Sequence, residues 1–444
     1  MPSPFDNFSW RRTNAPGSTE RGFRTDDIWF LDATTGWAVN SEGNIIKTAD
    51  GGDSWITQAQ FPDVYLRSVG FTNATTGWVG TLTPTHRLLH TSDGGASWQL
   101  VTNLPTGAPP AICGISVVDA NTIYASGTNF PDSPAAIIKT TNGGTTWTAI
   151  DMSARAAILV DIHFRNRNEG WVVGGRDDVG RPMSQRTRDD VKPVLLHTTD
   201  GGATWEDLLA PVRVQRLFPR GEWGWKIQVL DAQTIFVTLE NLRDGAILRS
   251  DDGGRTWGRL PINDRQRNAN LEGIGFLDRD RGWVGGWGDL NFTGGFTSAT
   301  TDGGKNWDNA NQVGFRLNRF RFIGNPVTVA YASGDTVYKF TDEPPVVAPT
   351  AALAAAPARL LQSATSIDFD VTVPAGARHL KINIWDRFGR HVHVLAEETS
   401  PAAGARSVPW DFRDMNGEPL PVGAYIVRIT IDGRSESRIA HKMD

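Results

Sequence analysis

The sequence predicts an all-β protein: a seven-bladed β-propeller closed by its own N-terminal strand, followed by a small C-terminal β-sandwich. Three observations predict it. The signature Thr48-Ala49-Asp50-Gly51-Gly52-Asp53-Ser54-Trp55 is written again five more times, at intervals of roughly 40–60 residues, which marks an array of supersecondary units. Short apolar stretches precede five of the six copies. A Pro- and Ala-rich stretch then ends the array and opens a second set of alternating strands.

The signature has the chemistry of a turn. Its copies carry Asp50, Asp93, Asn142, Asp200, Asp252 and Asp302 ahead of a Gly-Gly pair. Asp or Asn bonds its own backbone two residues on, and the glycines supply the positive φ of a tight hairpin. These six residues are therefore expected to staple turns and to do no chemistry. Pairs such as Ile45-Ile46, Leu88-Leu89 and Leu195-Leu196 precede the turns, so each copy joins two strands.

A further strand lies upstream of each signature, as in Ile28-Trp29-Phe30-Leu31 and Ile162-His163-Phe164-Arg165, and in four units Gly-Trp opens the next: Gly36-Trp37, Gly77-Trp78, Gly170-Trp171 and Gly282-Trp283. Four short antiparallel strands make one propeller blade. After the sixth signature three strands follow, around Phe320, Val329 and Val337, with no fourth. Phe8-Ser9-Trp10-Arg11-Arg12 resembles the strands that begin at Ser54-Trp55 and Ser97-Trp98, so Trp10 is expected to complete the seventh blade and to cover an edge that invites aggregation.

Blade 4 carries an insertion mixing Arg and Asp, with Arg176, Arg181, Arg186 and Arg188, and then Arg213, Arg216, Arg220 and Trp223. Insertions in repeat folds gather on one face, often the binding face, and Arg beside Trp is the composition of an interface hot spot. These eight residues are the expected partner-binding set; a solvated loop of alternating charges is the plainer reading. Domain limits are expected at 1–342 for the propeller, 343–361 for the linker and 362–444 for the sandwich.

Composition excludes several classes of function. A net charge of −5 gives no global basic field for nucleic acid. One cysteine, Cys113, rules out an intrachain disulfide framework and reads as buried filler. The eight histidines are scattered, and His391 with His393 lacks a third ligand, so no metal and no cofactor is expected. No run reaches membrane-span length and the first residues show no secretory leader, so the expected location is cytoplasmic, or within an assembly exported without a standard leader.

On these residues the repeats resemble the BNR or Asp-box type, and the Gly-Trp with Asp-Gly-Gly-x-x-Trp pairing most resembles the photosystem II assembly and stability factors. That resemblance implies a protein-binding propeller with an Arg-rich patch on one face, to which the blade 4 arginines would correspond as a group. The second domain resembles the Ig-like domain of flagellar hook-capping proteins, on Ile384-Trp385-Asp386-Arg387-Phe388-Gly389-Arg390, Trp410-Asp411-Phe412-Arg413-Asp414-Met415-Asn416-Gly417 and Val422-Gly423-Ala424-Tyr425. It implies an Ig-like structural or docking module.

An enzymatic reading has one foothold. Asp27 and Asp161 occupy the same register ahead of the innermost strands of blades 1 and 4, where a glycosidase would need two carboxyls, one with a raised pKa. The equivalent positions are Ser68, Gly114, Lys226, Gly273 and Arg319, so the acids are expected to balance Lys226 and Arg319 instead. The expected function is a non-enzymatic scaffold or assembly factor gripping a protein partner. The alternatives are a glycan-binding or glycan-hydrolysing propeller, with Trp29 or Trp287 as sugar platforms, and an architectural subunit of an exported appendage or secretion machine.

Overall fold

The computed structural model describes all residues except 1–4, 19–22, 129–132, 178–179, 181, 183–184, 186, 215–216, 242, 266–267, 289–294, 310–312, 344–365, 387–390, 422, 433 and 443–444. The chain divides into two compact units, Met1–Gly17 with Arg24–Val346 and Ser18–Phe23 with Val347–Asp444. Of the expected linker only Glu343 is described.

Among the described residues the first unit holds seven four-stranded antiparallel sheets. Their innermost strands are Thr25–Phe30, Leu66–Phe71, Gly114–Val117, Ile158–Phe164, Trp223–Val229, Leu271–Phe276 and Arg319–Ile323. Each lies beside the next, and Arg319–Ile323 lies beside both Leu271–Phe276 and Thr25–Phe30. The outer strand of blade 7 is Ser9–Arg12, antiparallel to Val337–Thr341 with Trp10 opposite Phe340.

One packing unit repeats between blades and explains the sequence signatures. Phe30, Phe71, Phe164 and Phe276 each end an inner strand. Their rings stack on Tyr331, Trp37, Tyr124 and Phe236 of the preceding blade, with centroids 3.5 to 3.7 Å apart. Each then meets the signature Trp of its own blade (Trp55, Trp98, Trp205, Trp307) edge-on. The opening glycine of the next strand lies flat on the same ring: a Cβ on Gly36, Gly77, Gly170 or Gly282 would fall 2.5 Å from it. Blades 3 and 5 end the inner strand in Val117 and Val229, and there no Gly-Trp appears. The glycine is the imprint of the phenylalanine.

The signature acids staple their turns, but onto the amide four residues on instead of the expected two. Thr48 Oγ1 donates to Asp50 Oδ1 at 2.8 Å, and Asp50 accepts the Ser54 amide at 2.8 Å. Asn142 makes the same turn by accepting the Thr146 amide and donating to its hydroxyl, both at 2.9 Å. Hydrogen bonds from Ser97 hold the Asp93 carboxyl down to about 2. The turns also staple blades together: Lys47 Nζ and Trp37 Nε1 both donate to Gly94 O, and Lys139 Nζ and Tyr124 Oη to Gly201 O.

The second unit is a β-sandwich. Ile367–Val373 pairs with Gly404–Trp410, and the other sheet runs in the order His391–Thr399, His379–Asp386, Gly423–Ile431, Arg434–Lys442. Ile367, Phe369, Val371 and Val373 are buried while Asp368, Asp370 and Thr372 face solvent, the period of a half-buried strand. Trp410, Phe412 and Tyr425 fill the core beside them.

Candidate functional site

Two buried ion-paired clusters form where inner strands of different blades meet. β-Bulges interrupt the inner strands of blades 1, 2, 4, 5 and 6, at Thr25/Asp27, Leu66/Ser68, Leu159/Asp161, Gly224/Ile227 and Leu271/Gly273. A bulge re-aims side chains, which here lets two successive residues address the axis.

Of the two cations expected to balance Asp27 and Asp161, Arg319 is ion-paired with both and Lys226 with neither. The Arg319 Nε donates to Asp27 Oδ1 at 3.0 Å, and its two terminal nitrogens to Asp161 at 3.0 and 2.7 Å. Asp27 also accepts the Ile28 and Val69 amides, and Asp161 the Ile227 amide. Burial pushes the Asp161 carboxyl up, but Arg319 and Lys226 more than offset it and hold the acid below its ordinary range. A general acid needs the opposite shift. The pair forms an ion-paired brace with Arg319 between blades 1, 4 and 7, and Asp161 is not poised to donate a proton.

One residue upstream lies a second charged cluster that the sequence reading passed over. Asp26, Arg67 and Glu272 stand just before Asp27, Ser68 and Gly273, and Arg24 joins them. Arg24 and Arg67 each pair with Asp26 and Glu272, and Asn318 Nδ2 donates to Asp26 O at 2.7 Å. The signal was present: the register that aligned Asp27 with Arg319 aligns these residues when moved back by one. Alternation along a strand would have turned them away from the axis, and only the bulge keeps them there.

Each expected sugar platform has a guanidinium over its ring. The Arg321 guanidinium lies 4.8 Å from the Trp29 ring centroid, and that of Arg24 lies 4.5 Å from Trp287. Trp287 Nε1 donates to Glu272 Oε1 at 2.9 Å, which ties the ring into the second cluster.

Lys226 is 2% exposed on the axis. Burial, reinforced by Arg319, pulls its ammonium down to about 7, against the attraction of Asp161. The folded chain thus binds fewer protons than the unfolded chain between about pH 7 and the ordinary lysine value near 10.4. Stability is expected to rise with pH across that window. Lys226→Met should flatten the rise and stabilise the fold at pH 7 by about 1–4 kcal/mol; urea denaturation at pH 7 and pH 9.5 checks both.

The blade 4 set separates. Its hairpin strands, Gly170–Asp177 and Val191–Thr198, are longer than their counterparts. Arg181, Arg186 and Arg216 lie outside the described residues, as does the Arg188 side chain. Trp223 is 1% exposed, because it opens an inner strand and faces Trp225 inside the propeller. Arg213 is 7% exposed, ion-paired with Asp207 and donating to Pro193 O at 3.1 Å, so it anchors the short helix Ala210–Val214. Those two are structural, a correction to the expected contact set. Arg176 is partly exposed, 3.9 Å from Asp207, and the Arg220 side chain is 75% exposed, 3.6 Å from Asp189.

Cys113 is buried, and burial pushes its thiol up, away from nucleophilic reactivity. Among the described residues no group of three or more His, Cys, Asp or Glu is placed to hold a metal, and no helix is long and apolar enough to cross a membrane.

Comparison with known proteins adds to this geometry. Residues 6–158 match the family model of the photosynthesis system II assembly factor YCF48, and residues 357–435 that of the FlgD Ig-like domain. The photosystem II assembly lipoprotein Ycf48 of Synechococcus sp. (strain CC9902) is 26% identical over 268 residues, 54% of this chain and 76% of that protein. Among solved structures, YCF48 bound to a D1 peptide superposes with a TM-score of 0.53 at 17% identity, covering 76% of this chain and 98% of its own. YCF48 from Cyanidioschyzon merolae gives 0.53 at 19%, with 75% and 99% covered. An ancestral GH74 enzyme also gives 0.53, at 12% identity, covering 97% of this chain and 63% of its own. At such identities the structures establish a shared fold alone. The first unit resembles the photosystem II assembly factor and the second the hook-cap Ig-like domain. The expected cytoplasmic or leaderless location does not stand. It rested on the first residues of the sequence, whereas the curated relative is by name a lipoprotein, a protein held at a membrane by lipid.

Proposed function

We propose that this chain is a non-enzymatic assembly factor whose propeller grips a segment of a protein partner while its Ig-like domain docks the pair into a larger complex. The match of residues 6–158 to the assembly-factor family model carries this reading. The solved relative bound to a D1 peptide supports a protein segment as the kind of partner. The ion-paired state of Asp27 and Asp161 supports the absence of catalysis. A rigid ring presents preorganised loops, which lowers the ordering cost of association.

The contact surface we assign to this function is the blade 4 edge at Arg176 and Arg220. Charge reversal at a rim slows association and weakens capture while leaving the core intact. Tagged full-length chain carrying Arg176→Glu and Arg220→Glu is expected to recover at least about tenfold less partner from its native source, with a melting temperature equal to that of the parent. Equal recovery by both proteins would remove this surface from the account.

A further inference from the structure

We propose that one mouth of the propeller axis is a binding site for a short-chain monocarboxylate, its head held by Lys226 and Arg321 and its hydrocarbon body by the apolar wall above them. The inference does not rest on the partner-binding reading. A cavity of about 280 Å³ opens there among the inner strands, with Trp29, Asp161, His163, Lys226, Arg319 and Arg321 on its wall. That lies just below the roughly 300 Å³ at which pockets for drug-sized ligands begin, so the occupant is small.

Charge selects the head group. Lys226, Arg319 and Arg321 bring three cations to the mouth, and Asp27 and Asp161 bring two anions. Arg319 spends its donors on those two acids. Arg321 donates Nε to Ile28 O at 3.0 Å, and its remaining nitrogens come no closer to Asp27 than 3.7 Å. Among the described residues the Lys226 ammonium meets no hydrogen-bond acceptor and no ion-pair partner, although it is almost wholly buried. Buried charges are ordinarily paired. A single negative charge placed against Lys226 and Arg321 completes the balance, whereas a dianion would overshoot it. Ile115, Val229 and Ile274 supply the apolar part of a wall that also carries Ser116, His163, Gln228 and Asn318, which leaves room for a short hydrocarbon.

The site also predicts its own pH dependence. The groups facing Lys226 are Asp161 and His163 from blade 4, Arg319 and Arg321 from blade 7, Arg67 from blade 2, Asp27 from blade 1 and Cys113 beside blade 3, whose thiol burial pushes up. Burial pulls His163 down to about 4, which leaves Lys226, near 7, as the group of this mouth that gains a proton between pH 8 and pH 6. A carboxylate should therefore bind more tightly at the lower pH.

Isothermal titration of the full chain with butyrate, and with the isosteric neutral butyramide, tests this. Butyrate is expected to bind one to one, at least about tenfold more tightly than butyramide, and several-fold more tightly at pH 6 than at pH 8. Lys226→Met, which removes the proton-binding group, is expected to lose at least about tenfold in affinity together with the pH dependence, and Lys226→Arg to retain binding while losing only the pH dependence. Equal binding of butyrate and butyramide, or unchanged butyrate binding by Lys226→Met, would overturn the proposal.

Discussion

Arg319→Met is expected to cost the propeller about 3–5 kcal/mol, because it strands two buried carboxylates that have no other cation in bidentate contact. Asp161 loses both of its guanidinium bonds, and Asp27 loses its 3.0 Å partner. Arg321, at 3.7 Å from Asp27, is the nearest replacement and does not reach hydrogen-bond distance. The penalty belongs to the orphaned charges more than to the missing arginine. Arg319→Met combined with Asp27→Asn and Asp161→Asn should accordingly recover at least half of the loss. Urea denaturation of the single and triple variants at pH 7 measures this. A single variant within about 1 kcal/mol of the parent would show that the brace does not carry the load assigned to it.

Trp10→Ala is the second large effect, expected at about 3–5 kcal/mol for a buried Trp cut back to Ala. Trp10 is separated by more than 300 positions from Phe340, its cross-strand partner, and its ring also meets Trp283 of blade 6 edge-on at 5.4 Å and Phe320 at 5.6 Å. The indole is thus the point where the first strand of the chain is held to its last two blades. Val214→Ala, at a side chain that is largely solvent-exposed, serves as the control and should stay within about 0.5 kcal/mol. A Trp10→Ala cost as small as that of the control would mean the N-terminal strand contributes little to the ring.

What could be read from the sequence was whatever repeats. Turn chemistry, strand spacing and the Gly-Trp pairs recur because each blade solves the same steric problem, down to a glycine laid against a phenylalanine ring. The register of Asp27, Asp161, Lys226 and Arg319 was legible for the same reason, since a fixed offset from each repeat marks a fixed height in the channel. The cluster of Arg24, Asp26, Arg67 and Glu272 escaped because a bulge breaks the two-residue alternation on which strand reading depends. Trp223 was misplaced for a related reason. Its position beside arginines suggested a surface, but the inner strand of blade 5 begins at Trp223, ahead of the expected start at Ile227, which carries the indole inside. Arg213 looked like a surface charge until the short helix Ala210–Val214 turned it toward Asp207. Composition shows which charges exist, and only the fold shows which of them are already spent on one another.

The claim that the channel acids are structural can be tested most directly by turnover. Parent protein and Asp161→Asn are each incubated with a panel of oligosaccharides, xyloglucan fragments included, and the released reducing ends are measured. The account predicts no release by either protein. Release by the parent that disappears in Asp161→Asn would contradict it and return the axis to glycoside chemistry.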